Sequence, residues 1–212
     1  MSSRSTKLRL ALVSYTAIAA LQPLASRAES AATSGAGTPI TATARLDFRV
    51  TVPKVLFLQI GTGTSLAANA TINLIDFTVP AANLGDATPV AATLASGDLG
   101  SGAVTARVIG NNGAVSLTST TSGALSNGAG DTITFGQIGT TVTTLTSATA
   151  LAAPTFVDGG TSATVTVPAA GKIVNRDAKW TFAYLNTVTP PPGTYGGAGV
   201  NNGRVTYTAS MP

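Results

Sequence analysis

Ile40-Thr41-Ala42-Thr43-Ala44-Arg45-Leu46-Asp47-Phe48-Arg49-Val50-Thr51-Val52 alternates without a break between apolar and polar side chains. The even positions (Ile40, Ala42, Ala44, Leu46, Phe48, Val50, Val52) are apolar, and the odd ones are Thr, Arg or Asp. On an extended backbone successive side chains point to opposite sides, so this pattern gives one apolar and one polar face; wound into a helix, the same residues would scatter around the axis. The segment is expected as a β-strand, long against the usual about five or six residues.

Working outward, Pro53 bends or interrupts this strand, and Val55 to Ile60 follows as an apolar run suited to a strand buried on both faces. Further strands are expected at Thr71–Val79, Ala103–Ile109, Ala114–Thr120, Asp131–Phe135, Thr140–Thr146, Ser162–Val167, Lys179–Leu185 and Arg204–Ala209. Gly110-Asn111-Asn112-Gly113 reads as the turn of a hairpin joining two of them. No window carries a helical period, and Gly, Pro and Asn punctuate the chain at short intervals. About ten short strands with this punctuation predict an all-β fold, an antiparallel immunoglobulin-like β-sandwich.

Toward the N-terminus, Glu29 to Gly37 is small and polar, a flexible leader. Residues 1–28 read as a signal peptide. Arg4, Lys7 and Arg9 form the positive start, Leu10 to Leu21 the apolar stretch, and Ser26-Arg27-Ala28 offers small residues at a cleavage site. That stretch is short of the roughly 20 apolar residues of a membrane span, and no later segment qualifies. The expected organisation is 1–28 removed, 29–37 leader, 38–52 N-terminal strand and 53–212 sandwich, with no membrane span in the mature chain.

Four of the 12 basic residues lie in the signal segment, leaving eight against 8 acidic ones and no net charge in the mature chain. Nucleic-acid binding, which needs clustered Lys and Arg, is not expected. With no cysteine and no histidine, the chain lacks a disulfide framework, Ser-His-Asp or Cys-His catalysis and the usual zinc, copper or iron ligands. Seven aspartates are spread singly, and Asp98, Asp131 and Asp158 sit beside or one residue from Gly, as turn residues do. No enzymatic activity, cofactor or metal is expected. Trp180 and Tyr184 alternate along one strand; they are core residues or, on an exposed face, a platform for a sugar ring.

A regular alternating strand behind a flexible leader is either the first strand of its own sandwich or one that leaves it to pair with the open edge of the next subunit. The chain resembles the pilins of chaperone–usher fimbriae. The resemblance rests on the signal peptide, the alternating stretch to Val52, the Thr/Ala/Gly/Asn-rich composition, and Pro192-Gly193-Thr194-Tyr195 followed by Gly203-Arg204-Val205-Thr206-Tyr207-Thr208, which looks like that family's closing hairpin. It departs from many such pilins in having no cysteine pair, and its Tyr207 lies farther from the C-terminus.

The resemblance implies an incomplete immunoglobulin-like sandwich, a periplasmic chaperone and an outer-membrane usher as partners, and homopolymerisation into a surface filament. Ile40, Ala42, Ala44, Leu46, Phe48, Val50 and Val52 would be the inserted side chains. The alternative is a monomeric exported sandwich binding a glycan or another surface component through Trp180 and Tyr184.

Overall fold

The computed structural model describes residues 30–37 and 39–212. The signal-peptide assignment for 1–28 lies outside the described residues, as does Thr38. The chain divides into Met1–Thr51 and Val52–Pro212.

In the first unit, residues 39–51 form no regular element. The strand expected there makes no ladder among the described residues, and its apolar side chains are exposed: Leu46 at 66%, Phe48 and Val50 at 85% each. Alternation assigns the two faces of a strand, but a strand exists only when a neighbouring backbone accepts its hydrogen bonds.

The second unit is an all-β antiparallel sandwich. Its strands are β1 (Leu56–Ile60), β2 (Val90–Ala91), β3 (Ala103–Gly110), β4 (Val115–Thr121), β5 (Leu125–Ser126), β6 (Thr132–Ile133), β7 (Ile138–Thr143), β8 (Gly160–Thr161), β9 (Val165–Val167), β10 (Val174–Tyr184) and β11 (Val205–Ser210). The only helical elements among the described residues are two single 3-10 turns, Ala81–Asn83 and Phe135–Gln137. One sheet runs β1-β3-β10-β2, with β7 also paired to β10; the other runs β11-β4-β8, with β9 also on β4. A two-stranded β5-β6 ribbon stands beside them.

The inward residues follow the period of two. Val104, Ala106 and Val108 of β3, Val115 and Leu117 of β4, and Val174, Ala178, Trp180 and Phe182 of β10 are all buried. Ser119 and Thr121 continue the inward face of β4 with hydroxyls, which donate to the Thr155 and Val157 carbonyls of the connection before β8. A buried hydroxyl is tolerated because it is bonded.

Three expectations are corrected. Gly110 to Gly113 does turn the chain, but β3 and β4 lie in different sheets, so the turn is an arch between layers and not a hairpin. Likewise β11 pairs with β4, not with the strand preceding it in sequence. The Val55–Ile60 run is also an edge strand, with Leu56 exposed and Phe57, Leu58 and Ile60 half-buried, not a strand covered on both faces. Its one ladder partner among the described residues is β3.

Candidate functional site: an apolar groove with open edges

The sandwich unit carries a groove of about 1090 Å³. Its floor includes Leu58 and Ile60 of β1, Val104 of β3, Phe182 of β10, Phe156 and Tyr207. Aromatic packing fixes that floor: Phe156 stacks on Phe182 at 5.9 Å between centroids, and Tyr207 lies 5.6 Å from Trp180 and 6.5 Å from Phe156. Burial pushes the Tyr207 hydroxyl well above its ordinary pKa, so it stays neutral.

Residues 71–79, 190–199 and 203–207 also line the groove. Two of these stretches are unfinished backbone. β11 has β4 as its one ladder partner among the described residues, so its other edge carries unpaired N–H and C=O groups. Inward Val205, Tyr207 and Ala209 are half-buried and outward Thr206, Thr208 and Ser210 exposed.

Thr71-Ile72-Asn73-Leu74-Ile75-Asp76-Phe77-Thr78-Val79 was expected as a strand and forms no ladder. The burial alternates all the same: Asn73, Ile75, Phe77 and Val79 are half-buried and Ile72, Leu74, Asp76 and Thr78 exposed. Asp76 turns its main chain to the 93–96 turn, accepting the Thr93 N–H at 2.8 Å and donating its own N–H to Ser96 Oγ at 3.0 Å. On an extended chain the main-chain groups of the flanking residues point the opposite way, and those of Ile75 and Phe77 make no hydrogen bond among the described residues. The segment is thus half a ladder, bonded on one side only.

An apolar groove lined by two rails of unpaired backbone suits one kind of occupant: an extended peptide whose alternate side chains are apolar. An apolar small molecule would leave both rails unpaired.

Of the two readings of Trp180 and Tyr184, core or sugar platform, the burial of both supports the core. Trp180 is 0% exposed, and its indole N–H donates to the Leu151 carbonyl at 2.7 Å. Inward-pointing alternate residues of a central strand fill the core, so Trp180 and Tyr184 present no open ring face. Tyr184 is buried at the groove beside Tyr195, and burial raises its pKa.

The aspartates serve the framework. Asp177 is buried against Arg107 at 3.1 Å, and accepts from the Thr146 and Ser147 N–H groups at 2.9 and 2.8 Å and from the Thr146 hydroxyl. Burial works against its charge, but these donors outweigh burial and hold its pKa well below the usual carboxylate range. Asp86 pins Asn83, Thr88 and Asn186; Asp158 holds Thr134 and the Phe135 N–H; Asp98 accepts from Thr105; Asp131 accepts from Asn127. No group of three or more acidic, His or Cys residues spaced for a metal ion occurs among the described residues. No helix of the described residues is long and apolar enough to cross a membrane.

The sequence singled out Ile40 to Val52 but not the groove, because a groove is a property of which strands become neighbours. Its one local signal is the alternation of 71–79, read as an ordinary strand. Comparison of the chain with protein-family models, with curated proteins and with solved structures gives no match.

Proposed function

We propose that the protein is a subunit of an extracellular filament, in which residues 40–52 of one copy enter the groove of the next. The observation that carries this reading is the complementarity of two features of one chain. The groove is lined by two stretches with open backbone edges, and a segment has a strand's alternation but no ladder among the described residues. Insertion would pair the rail of β11 and the free groups at Ile75 and Phe77, and bury Leu46, Phe48, Val50 and Val52 against Leu58, Phe156 and Tyr207. At roughly 1.5–3 kcal/mol for each large apolar side chain taken from water, four such side chains contribute about 6–12 kcal/mol, and backbone pairing along both open edges adds to this against the entropy cost of ordering the segment.

The signal segment at 1–28 supplies export, and the resemblance to chaperone–usher pilins supplies the route: a periplasmic chaperone to cover the groove and an outer-membrane usher to release it. The test is Leu46→Asp or Phe48→Asp in the full chain. Each should leave export intact and abolish filaments in negative-stain micrographs; normal filaments from either variant would refute insertion.

A further inference from the structure

An inserted strand must choose among registers two residues apart, since a shift of one would turn its apolar face outward. We infer that the register is set by an ion pair between Arg49 of the inserted segment and Asp76 of the receiving copy. The inference rests on the strand-insertion reading above and adds which residues meet.

Asp76 is the only charged residue of 71–79, lies on the exposed face of that segment, and its carboxylate makes no hydrogen bond or ion pair among the described residues. The inserted segment carries three charges on its polar face: Arg45, Asp47 and Arg49. Residues directly opposite on adjacent strands share a face. With the apolar even positions facing the floor alongside Asn73, Ile75, Phe77 and Val79, the charged odd positions stand opposite Ile72, Leu74, Asp76 or Thr78. Asp76 therefore meets Arg45, Asp47 or Arg49.

The three registers are unequal. Asp47 opposite Asp76 sets two carboxylates side by side, which is destabilising. Arg45 opposite Asp76 pairs the charges but slides the segment so that Val52 falls beyond the 71–79 edge, whichever way the strand runs. Arg49 opposite Asp76 brings residues 44–52 alongside 71–79 if the strands are parallel, or 46–54 if antiparallel. Both directions keep Leu46, Phe48, Val50 and Val52 over the groove and leave Ile40 and Ala42 outside. Charge and apolar burial thus select the same register. An exposed pair is by itself a weak contact; its role is discrimination between registers.

The chain contains no cysteine, so paired cysteines report the register directly. Full-length chains carrying Asp76→Cys with Arg49→Cys, Asp47→Cys or Arg45→Cys are assembled, oxidised mildly and run on non-reducing gels. The Arg49→Cys pair should give a ladder of covalent multimers at least tenfold stronger than the other two. A ladder as strong from the Arg45→Cys or Asp47→Cys pair, or filaments with no Arg49→Cys ladder, overturns the register. In parallel, Asp76→Arg should slow assembly about fivefold at low salt, and adding Arg49→Asp to it should restore the rate; a double variant no faster than Asp76→Arg alone also overturns it. If the unaltered chain forms no filaments, strand insertion itself fails, an outcome distinct from filaments cross-linked in another register.

Discussion

Val55 and Asn111 hold each other reciprocally: the Val55 N–H donates to Asn111 Oδ1 at 2.8 Å, and the Asn111 N–H donates to the Val55 carbonyl at 3.3 Å. The Asn111 amide also donates to the Pro53 carbonyl at 2.7 Å. The arch between the two sheets thus grips the main chain where it enters β1. Next to it, Asn112 donates its amide to the Pro212 carbonyl, so both ends of the sandwich unit are tied to one turn. Asn111→Ala removes two of these bonds and should cost about 1–3 kcal/mol, at roughly 0.5–1.5 kcal/mol for each, seen as a lower midpoint in urea. An unchanged midpoint would mean the grip contributes nothing.

Trp180 is the only tryptophan and is wholly enclosed. Its fluorescence should be blue-shifted and poorly quenched by iodide in the folded chain. Trp180→Ala should cost about 3–5 kcal/mol, whereas a sugar platform would show strong quenching and little loss of stability.

Asp177 makes stability depend on acid. Its pKa is depressed in the folded chain from an ordinary value of 3.8, so its contribution is complete above that value and lost as the pH falls from about 4 toward the lower folded value. Asp177→Asn should flatten the acid limb of a stability-against-pH curve and lower stability at pH 7. A parallel downward shift of the whole curve would contradict this assignment.

Gly203 sits against a loop that lines the groove, and a Cβ there would lie 2.3 Å from the Gly197 nitrogen and 2.4 Å from its carbonyl oxygen. Both are backbone atoms, so the loop must shift. Gly203→Ala should destabilise the protein by about 1–3 kcal/mol; a neutral result would show that the 195–204 loop yields freely.

The sequence made much of this fold legible. The strands expected at Ala103–Ile109 and Arg204–Ala209 match β3 and β11, while Lys179–Leu185 covers only the second half of β10, which starts at Val174. The missing His and Cys and the scattered aspartates were legible too, and the structure gives the aspartates Asp86, Asp98, Asp131, Asp158 and Asp177 hydrogen-bonded places in turns and strands. Gly110 to Gly113 misled because a turn sequence fixes chain reversal and not the partner: β3 pairs with β1 and β10, and β4 with β11. Thr71–Val79 misled for a related reason, since its alternation is real while the backbone that would complete its ladder is not among its neighbours. Trp180 and Tyr184 on one face looked the same for core and platform; Trp180 is covered by Leu151 and Tyr207, distant in sequence.

The most direct test of the central claim compares the mature chain, starting at Glu29, with a truncation starting at Pro53, by negative-stain electron microscopy and size-exclusion chromatography. Strand insertion predicts filaments from the mature chain, and from the truncation an unstable monomer that a peptide of residues 38–52 stabilises. Two stable monomers, with the peptide leaving the truncation's unfolding midpoint unchanged, would contradict it.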